Sequence, residues 1–374
     1  MSQFTLARVW TVDECNEYNA TLAALDPRPE HPRELNLTAG GEPRAPGDCE
    51  PFPESNTITN PRFVFLREVG GKNCLKSFLD MVTQQGPKGK HWGGTLIIDE
   101  EVPLSFAIRI PVRYTLAGVG INGAGRLKFS GDFAGPAVSF VDAMSGSGNI
   151  RDLAIEGPGL NAKNMGGIKL GSSQSVADDE PQPPQRFRLH RVRVSGFGAY
   201  GIQGGTNTPF VDIDSCQLLA NKVNLQLVRK CDHWRIRDTI ITDAPEWGVD
   251  VAADITINGA KILGTVADLL ISGCFFRNNK AGAIRIQPGD PDKPTFGVFI
   301  FGNGFVKNAG VAVNVVAVNA GTRIIGNFFG AAENLEIPTE LIKATLPHET
   351  HIGFNASQGT ADEIKALNLL RATP

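Results

Sequence analysis

A short apolar pattern that returns at near-constant spacing constrains this chain more than any other feature. IRDLAI begins at Ile150, LHRVRV at Leu189, IDSCQL at Ile213, IRDTII at Ile236, ISGCFF at Ile271, IFGNGF at Ile300 and IIGNFF at Ile324. The tightest intervals are about 23–24 residues, and the longer ones carry insertions. Each copy but the last is followed by a second short strand pattern: GIKL (167–170), GIQG (201–204), NLQL (224–227), GVDV (248–251), AIRI (283–286) and VAVNV (311–315). A unit this short, made of strands and turns, cannot bury its apolar face alone. Stacking buries it, so the period predicts coils of a parallel β-solenoid. An elongated fold also suits 374 residues, which exceed one ordinary compact domain.

The fourth position of the repeat is the bend between two strands. It holds Leu153, Val192, Cys216, Thr239, Cys274, Asn303 and Asn327. Asparagines there are expected to bond to their counterparts in the coils above and below. Cys216 and Cys274 share this position two coils apart, about 10 Å at a coil rise of ~4.8 Å. That is too far for a disulfide, and they read as small apolar fillers. Arg188 and His190, Asp212 and Asp214, and Arg235 and Arg237 occupy equivalent places in successive coils. Opposite charges would then be neighbours across strands, which reads as a stacking device.

Three regions follow. Residues 1–72 hold a helix candidate at 11–25, where Thr11 and Glu14 form a capping-box pattern, and a Pro-rich extension from 26 to 62. Residues 73–330 hold the repeat. They open on a helix candidate, Asn73–Thr83, with Leu75, Phe78, Leu79 and Val82 on one face, placed to cap the open end of the stack. Strands are expected at Thr95–Ile98, Phe106–Ile110, Tyr114–Ala117 and Arg126–Phe129. Residues 331–374 read as an irregular tail with a short helix at 360–370.

The pattern I-x-G-N-x-F, a polar turn, then G-I-x-L resembles the right-handed parallel β-helix of the pectate-lyase-like superfamily. GGTLII…IRIP…YTLAGVG resembles the first coils of such proteins. The resemblance implies an all-β, right-handed parallel β-helix over residues 73–330 with an N-terminal capping helix. It does not choose an activity, because the scaffold carries lyases, hydrolases, epimerases, fructotransferases and phage tailspikes. In this superfamily the strand after the polar turn, PB1, lines the substrate groove. The outward PB1 residues here would be Lys169, Gln203, Gln226, Asp250, Arg285 and Asn314. Lys169, Gln203, Gln226 and Arg285 are therefore expected to bind substrate, with Trp247 stacking on a sugar ring.

The coil at 232–252, DHWRIRDTIITDAPEWGVDVA, collects Asp243, Glu246 and Asp250 in one loop and the strand it feeds. Carboxylates brought close repel, which raises the pKa of at least one unless a cation intervenes. Two readings follow. Asp250 with Glu246 or Asp243 would be the acid and base or nucleophile of a glycoside hydrolase or transferase. Alternatively the three would hold Ca²⁺. The resemblance adds that such a metal would neutralise a uronate, with Arg285 or Lys169 taking the proton, as in lyases of this fold. RIRDTIITDA…GVDV is also similar to the acidic coil of inulin fructotransferases, trimeric β-helix enzymes whose acid pair would map onto Asp238 and Asp250. A third reading is a non-catalytic, tailspike-like β-helix that binds glycans as a homotrimer.

The net charge of −3 argues against a nucleic-acid partner. No run of about 18 apolar residues points to a membrane span. MSQFTLARVWTVDE lacks the basic start and apolar run of a signal peptide, which suggests the cytoplasm by default. GVGINGAG (118–125) lies among β patterns with no helix after it, so its glycines read as turn residues rather than a phosphate loop.

Overall fold

Apolar side chains at alternate positions of an extended backbone face one way, and polar ones the other. The computed structural model places these segments in parallel ladders, each strand paired with its counterpart one repeat on. It describes residues 63–69, 71–76, 78–79, 94–111, 114–131, 133–141, 147–171, 186–205, 208–257, 260–262, 264–287, 295–309, 311–316, 319–330, 342–344, 350–353 and 355–357. The described strands form a leading sheet of 13, a middle sheet of 10 and a PB1 sheet of 9, plus one two-stranded hairpin. One coil runs Val211–Asp214 (leading), Gln217–Leu219 (middle) and Leu225–Leu227 (PB1). The next repeats it as Trp234–Arg237, Ile240–Thr242 and Trp247–Val251. The fold is a three-sheet parallel β-helix.

Each repeat therefore contributes three strands, and PB1 is the third of each coil rather than the second. IIGNFF, expected to lack a PB1 strand, is followed by Ile342–Ala344, which pairs with Val313–Val315. Strands pair outside 73–330 at both ends: Phe63–Phe65 joins Gly94–Ile98, and Thr350–Gly353 joins Thr322–Ile325. Thr350–Gly353 and Ala356–Ser357 are thus strands within the tail expected to be irregular. Within the helix expected at 73–83, Leu75, Lys76, Phe78 and Leu79 are helical, and Leu75, Phe78 and Leu79 are buried. The preceding residues, Gly71–Cys74, form a 3-10 turn. Val82 and the helix candidates at 11–25 and 360–370 lie outside the described residues, as does the extension at 26–62.

The interior is a set of like-on-like stacks. Phe276, Phe305 and Phe329 stack with ring centroids 5.0 and 4.9 Å apart, almost parallel. That spacing is the coil rise, close to the ~4.8 Å between hydrogen-bonded strands. Each such ring, fully buried, contributes about 1.5–3 kcal/mol relative to exposure.

Turning the chain between sheets requires the left-handed backbone region. Between the leading and middle sheets the turning residues are Asp152, Arg191, Ser215, Asp238, Gly273, Gly302 and Gly326, with φ of 56, 50, 54, 49, 64, 65 and 68°. Each is followed by the fourth-position residue identified in the sequence. Between the middle and PB1 sheets they are Gly196, Ala220, Asp243, Asn278 and Lys307, with φ of 75, 52, 60, 56 and 58°. The turn lets hydrogen bonding continue around the corner: Ser215 N donates to Arg237 O at 3.1 Å and Asp238 N to Ser272 O at 3.1 Å.

The residue after each turn points inward, and asparagine there replaces a missing peptide partner. Asn303 N and Nδ2 both donate to Asn327 Oδ1, at 2.9 and 3.0 Å. Asn327 repeats the pattern toward Asn355, at 2.9 and 3.0 Å. Cys274 N donates to Asn303 Oδ1 at 2.9 Å, and Cys216 N to Thr239 Oγ1 at 3.2 Å. The bonded Asn column expected at the fourth position is present. A second one, not anticipated, follows the other corner: Asn279 Nδ2 donates to Asn308 Oδ1 at 2.8 Å, and Ala244 N to Asn279 Oδ1 at 3.2 Å. Cys216 and Cys274 are buried free thiols, and burial pushes both up to about 12. The expected charge columns are also in register. His190 meets Asp214 at 2.8 Å and Arg237 meets Asp212 at 3.8 Å.

The corner rules give two measurable costs. Gly302→Ala adds a Cβ with nothing within 4 Å, so its penalty is backbone strain alone, roughly 1–2 kcal/mol. Asn327→Ala leaves buried donors of Asn303 without an acceptor, at roughly 1–3 kcal/mol for each such group. Chemical denaturation of the two variants is expected to rank Asn327→Ala as the more damaging. The reverse order would mean that the asparagine column contributes little.

Candidate functional site

Cross-strand register, not sequence proximity, builds the polar face of the PB1 sheet. Lys169 pairs with Gln203, Gln203 with Gln226, Gln226 with Asp250, Asp250 with Arg285 and Arg285 with Asn314. The row read from strand alternation is continuous. On its other side Lys169 pairs with Ser139, and Ser139 with Arg109. Within the row, Gln203 Nε2 donates to Gln226 Oε1 at 2.7 Å.

Asp250 is the most enclosed member. Its side chain is 3% exposed, and both oxygens are occupied. Arg285 Nε donates to Oδ1 at 2.9 Å and Nη2 to Oδ2 at 2.7 Å, a two-point fork. Gln287 Nε2 donates to both oxygens, at 2.9 and 3.0 Å. Gln287 stands two residues beyond Arg285 on the same strand face, a position that period-two alternation assigns to the row but that was not singled out. Burial acts to lower the Arg285 pKa. The hydrogen bond and charge of Asp250, and the charges of Glu246 and Asp254, outweigh it and hold the guanidinium above its ordinary value.

Arg285 also lies over Trp247, its Cζ 5.3 Å from the ring centroid. Trp247 opens its strand opposite Gly282. A Cβ on Gly282 would come within 2.3 Å of the Trp247 ring, and Gly282 has φ of 145°, so both space and backbone require glycine there. Trp247 is half-buried, with its ring held between the neighbouring coil and Arg285.

The three carboxylates expected to converge do not. Asp243 is an exposed turning residue at the corner before PB1, accepting from Thr242 Oγ1 at 2.8 Å and Asn278 Nδ2 at 3.0 Å. Glu246 is 47% exposed and pairs with Lys222 at 3.5 Å. Asp250 belongs to Arg285. Repulsion is avoided because each carboxylate has its own donor. Among the described residues no group of three or more His, Cys, Asp or Glu side chains is placed to hold a metal ion. The Ca²⁺ site expected from Asp243, Glu246 and Asp250 therefore finds no converging ligand set. Asp238 turns the corner between the leading and middle sheets, so it is not brought beside Asp250.

Lys169 is half-buried at the other end of the row, and burial lowers its pKa. The insertion at 252–267 leaves the end of the Trp247–Val251 strand as an antiparallel hairpin, Ile255–Ile257 with Ala260–Ile262. Residues 172–185 and 288–294, which also follow PB1 strands, lie outside the described residues.

No protein-family model matches the chain, and neither does any curated protein. Solved structures do. The enzymatically active domain of bacteriophage CBA120 tailspike protein 2 aligns at 12% identity and TM-score 0.46, over 76% of this chain and 43% of that one. Geobacillus virus E2 ORF18 aligns at 14% and TM-score 0.49, over 80% and 62%. The A-module of Azotobacter vinelandii mannuronan C-5 epimerase AlgE4 aligns at 14% and TM-score 0.48, over 79% and 94%. The chain thus spans less than two thirds of the first two proteins. Its fold is established by its own three parallel sheets.

Two outcomes follow for the row. Asp250→Ala strands the Arg285 charge and is expected to cost about 2–4 kcal/mol, toward the lower side of the ~3–5 kcal/mol of a broken buried pair because Arg285 keeps partial solvent contact. Denaturation measures it, and a loss under 1 kcal/mol would contradict the geometry. For Lys169, the folded state binds the proton less tightly than the unfolded chain. Its contribution therefore makes stability rise as pH climbs from the lowered folded pKa toward the ordinary 10.5. Lys169→Met is expected to flatten that rise; an unchanged pH profile would show that Lys169 is solvated.

Proposed function

We propose that the PB1 face binds an extended poly- or oligosaccharide, and that the coil around Arg285 cleaves or rearranges it. The observation that carries this reading is the unbroken row from Lys169 to Asn314, with the fixed Arg285–Trp247 unit beside the half-exposed Glu246. A row of amides that donate and accept suits hydroxyl groups repeating along a chain. Trp247, with Arg285 over its ring, holds the guanidinium at the row rather than stacking on a sugar. Glu246, half-exposed and paired with the exposed Lys222, serves as the general acid: it gives its proton to the leaving glycosidic oxygen while a solvent water adds to the anomeric carbon and releases a proton to solvent. Asp250 and Gln287 are positioning residues: Asp250 holds Nε and Nη2 of Arg285, which leaves the remaining guanidinium donors to bond a substrate oxygen. Asp243 shapes the corner.

A second reading is a binding module without chemistry, tailspike-like and trimeric. One observation favours it: the carboxylate at the centre of the row, Asp250, is enclosed and fully bonded, so a second reactive acid is not open beside Glu246.

A panel of glycans analysed for products by mass spectrometry separates the readings. The wild-type chain is expected to shorten at least one glycan, and Glu246→Gln to bind it while losing at least 100-fold in turnover. Products absorbing in the ultraviolet would replace the hydrolase or transferase reading with a lyase. Binding without products across the panel would establish the second reading. No binding to any member would overturn both.

A further inference from the structure

The outer surface changes character along the helix axis. One outward column of the leading sheet runs Arg188, Asp212, Arg235, then Leu270 and Phe299, and ends on Arg323 and His351. The adjacent column runs His190, Asp214, Arg237, then Ser272, Phe301 and Ile325. In the middle sheet an outward column runs Arg193, Gln217, then Ile240, Phe275, Gly304 and Phe328. All three are charged or polar in the earlier coils; the second and third turn chiefly apolar later, and the first is apolar at Leu270 and Phe299 before Arg323 restores charge. Ile240, Phe275, Phe299, Phe301 and Phe328 are 39, 38, 37, 56 and 46% exposed.

The corner between these sheets changes with them. Earlier coils turn on Asp152, Arg191, Ser215 and Asp238, and later ones on Gly273, Gly302 and Gly326. No side chain therefore stands between the two flanks. The rings lie along the surface instead of projecting from it. A Cβ on Gly304 would sit 3.1 Å from the Phe275 ring, and one on Gly326 3.2 Å from the Phe301 ring, so each ring rests on a glycine of the following coil. The result is an apolar panel on both flanks of one corner of the helix.

The five side chains together expose on the order of 400 Å², taking a phenylalanine as about 200 Å². A patch of that size stands out on a monomer. It also supplies about half of the ~800 Å² that each partner brings to a standard interface, the apolar centre within a polar rim. The polar rim is already in place: Arg323 lies 5.3 Å from the Phe299 ring centroid, and the charged columns continue the same faces.

We propose that this panel packs against the same panel of further copies of the chain, side by side with helix axes parallel. A neighbouring helix of the same rise keeps its rings in step with these over several coils, which a surface of another period does not. Rotation about an axis parallel to the helix closes the assembly instead of propagating it. The inference is independent of the glycan reading, because the panel and the PB1 row lie on different sheets.

Sedimentation velocity of the full chain at micromolar concentration tests it, with Phe301→Glu and Phe328→Lys as variants. The wild-type chain is expected to sediment as a closed oligomer. Each charged variant is expected to be a monomer with an unchanged circular-dichroism spectrum. If either charge unfolds the chain, Phe301→Ser and Phe328→Ser replace them, and each should move the association midpoint at least tenfold toward higher concentration. A wild-type monomer, meaning that the panel is covered from within the chain or by a different partner, overturns the proposal. Oligomers that persist equally in all variants overturn it too.

Discussion

Everything in this molecule depends on keeping backbone hydrogen bonds in step while the chain turns three corners per coil. A shift of one residue along a whole strand would send its inward side chains outward, so the ladders slip only at local bulges such as Ser195–Phe197. The left-handed residues at the corners solve the geometry, and the residue after each one solves the bonding. Where that residue is asparagine, its amide stands in for a peptide group and ties each coil to the next. Where it is Cys216 or Cys274, the site is filled, and the coil is held by its neighbours.

The same register decides what the PB1 face can do. Asp250 and Arg285 are 35 positions apart in sequence, yet they are cross-strand partners with a hairpin looped out between them. Their pairing converts the expected reactive acid into a fixture for a guanidinium, and it leaves Glu246 as the half-exposed carboxyl next to Trp247. Trp247 is held by the same arrangement, since Gly282 makes room for its ring and Arg285 closes over it. The chemistry proposed here therefore rests on a buried ion pair whose role is orientation.

Much of this was legible in the chain and some was not. Alternation in GIKL, NLQL, GVDV and AIRI was enough to set the order of the PB1 row, because a repeating coil leaves one register for its strands. The charge columns from Arg188 to Arg237 were readable for the same reason. The second asparagine column was hidden: its places are filled by Phe197 and Ala244 as well as Asn221, Asn279 and Asn308, so no single residue type marks it. The failure of Asp243, Glu246 and Asp250 to converge was hidden too. Nearness along the chain says nothing about whether a side chain lies at a corner, at a rim or within a sheet. The last coils escaped notice because an insertion after Phe329 breaks the spacing before Ile342 and Thr350 resume it.

Successive PB1 strands stack in register, with Gln203 directly beside Gln226. Placing cysteines at both positions tests this most directly. Parallel neighbours on one sheet face lie about 4.8 Å apart, inside the range that a disulfide spans. Mild oxidation is expected to cross-link Gln203→Cys with Gln226→Cys in the folded chain, identified by peptide mapping. Gln203→Cys paired with Leu227→Cys, one residue along and facing the interior, is expected to stay reduced. Efficient cross-linking of the shifted pair, with none of the in-register pair, would contradict the stacking on which the fold and the site both rest.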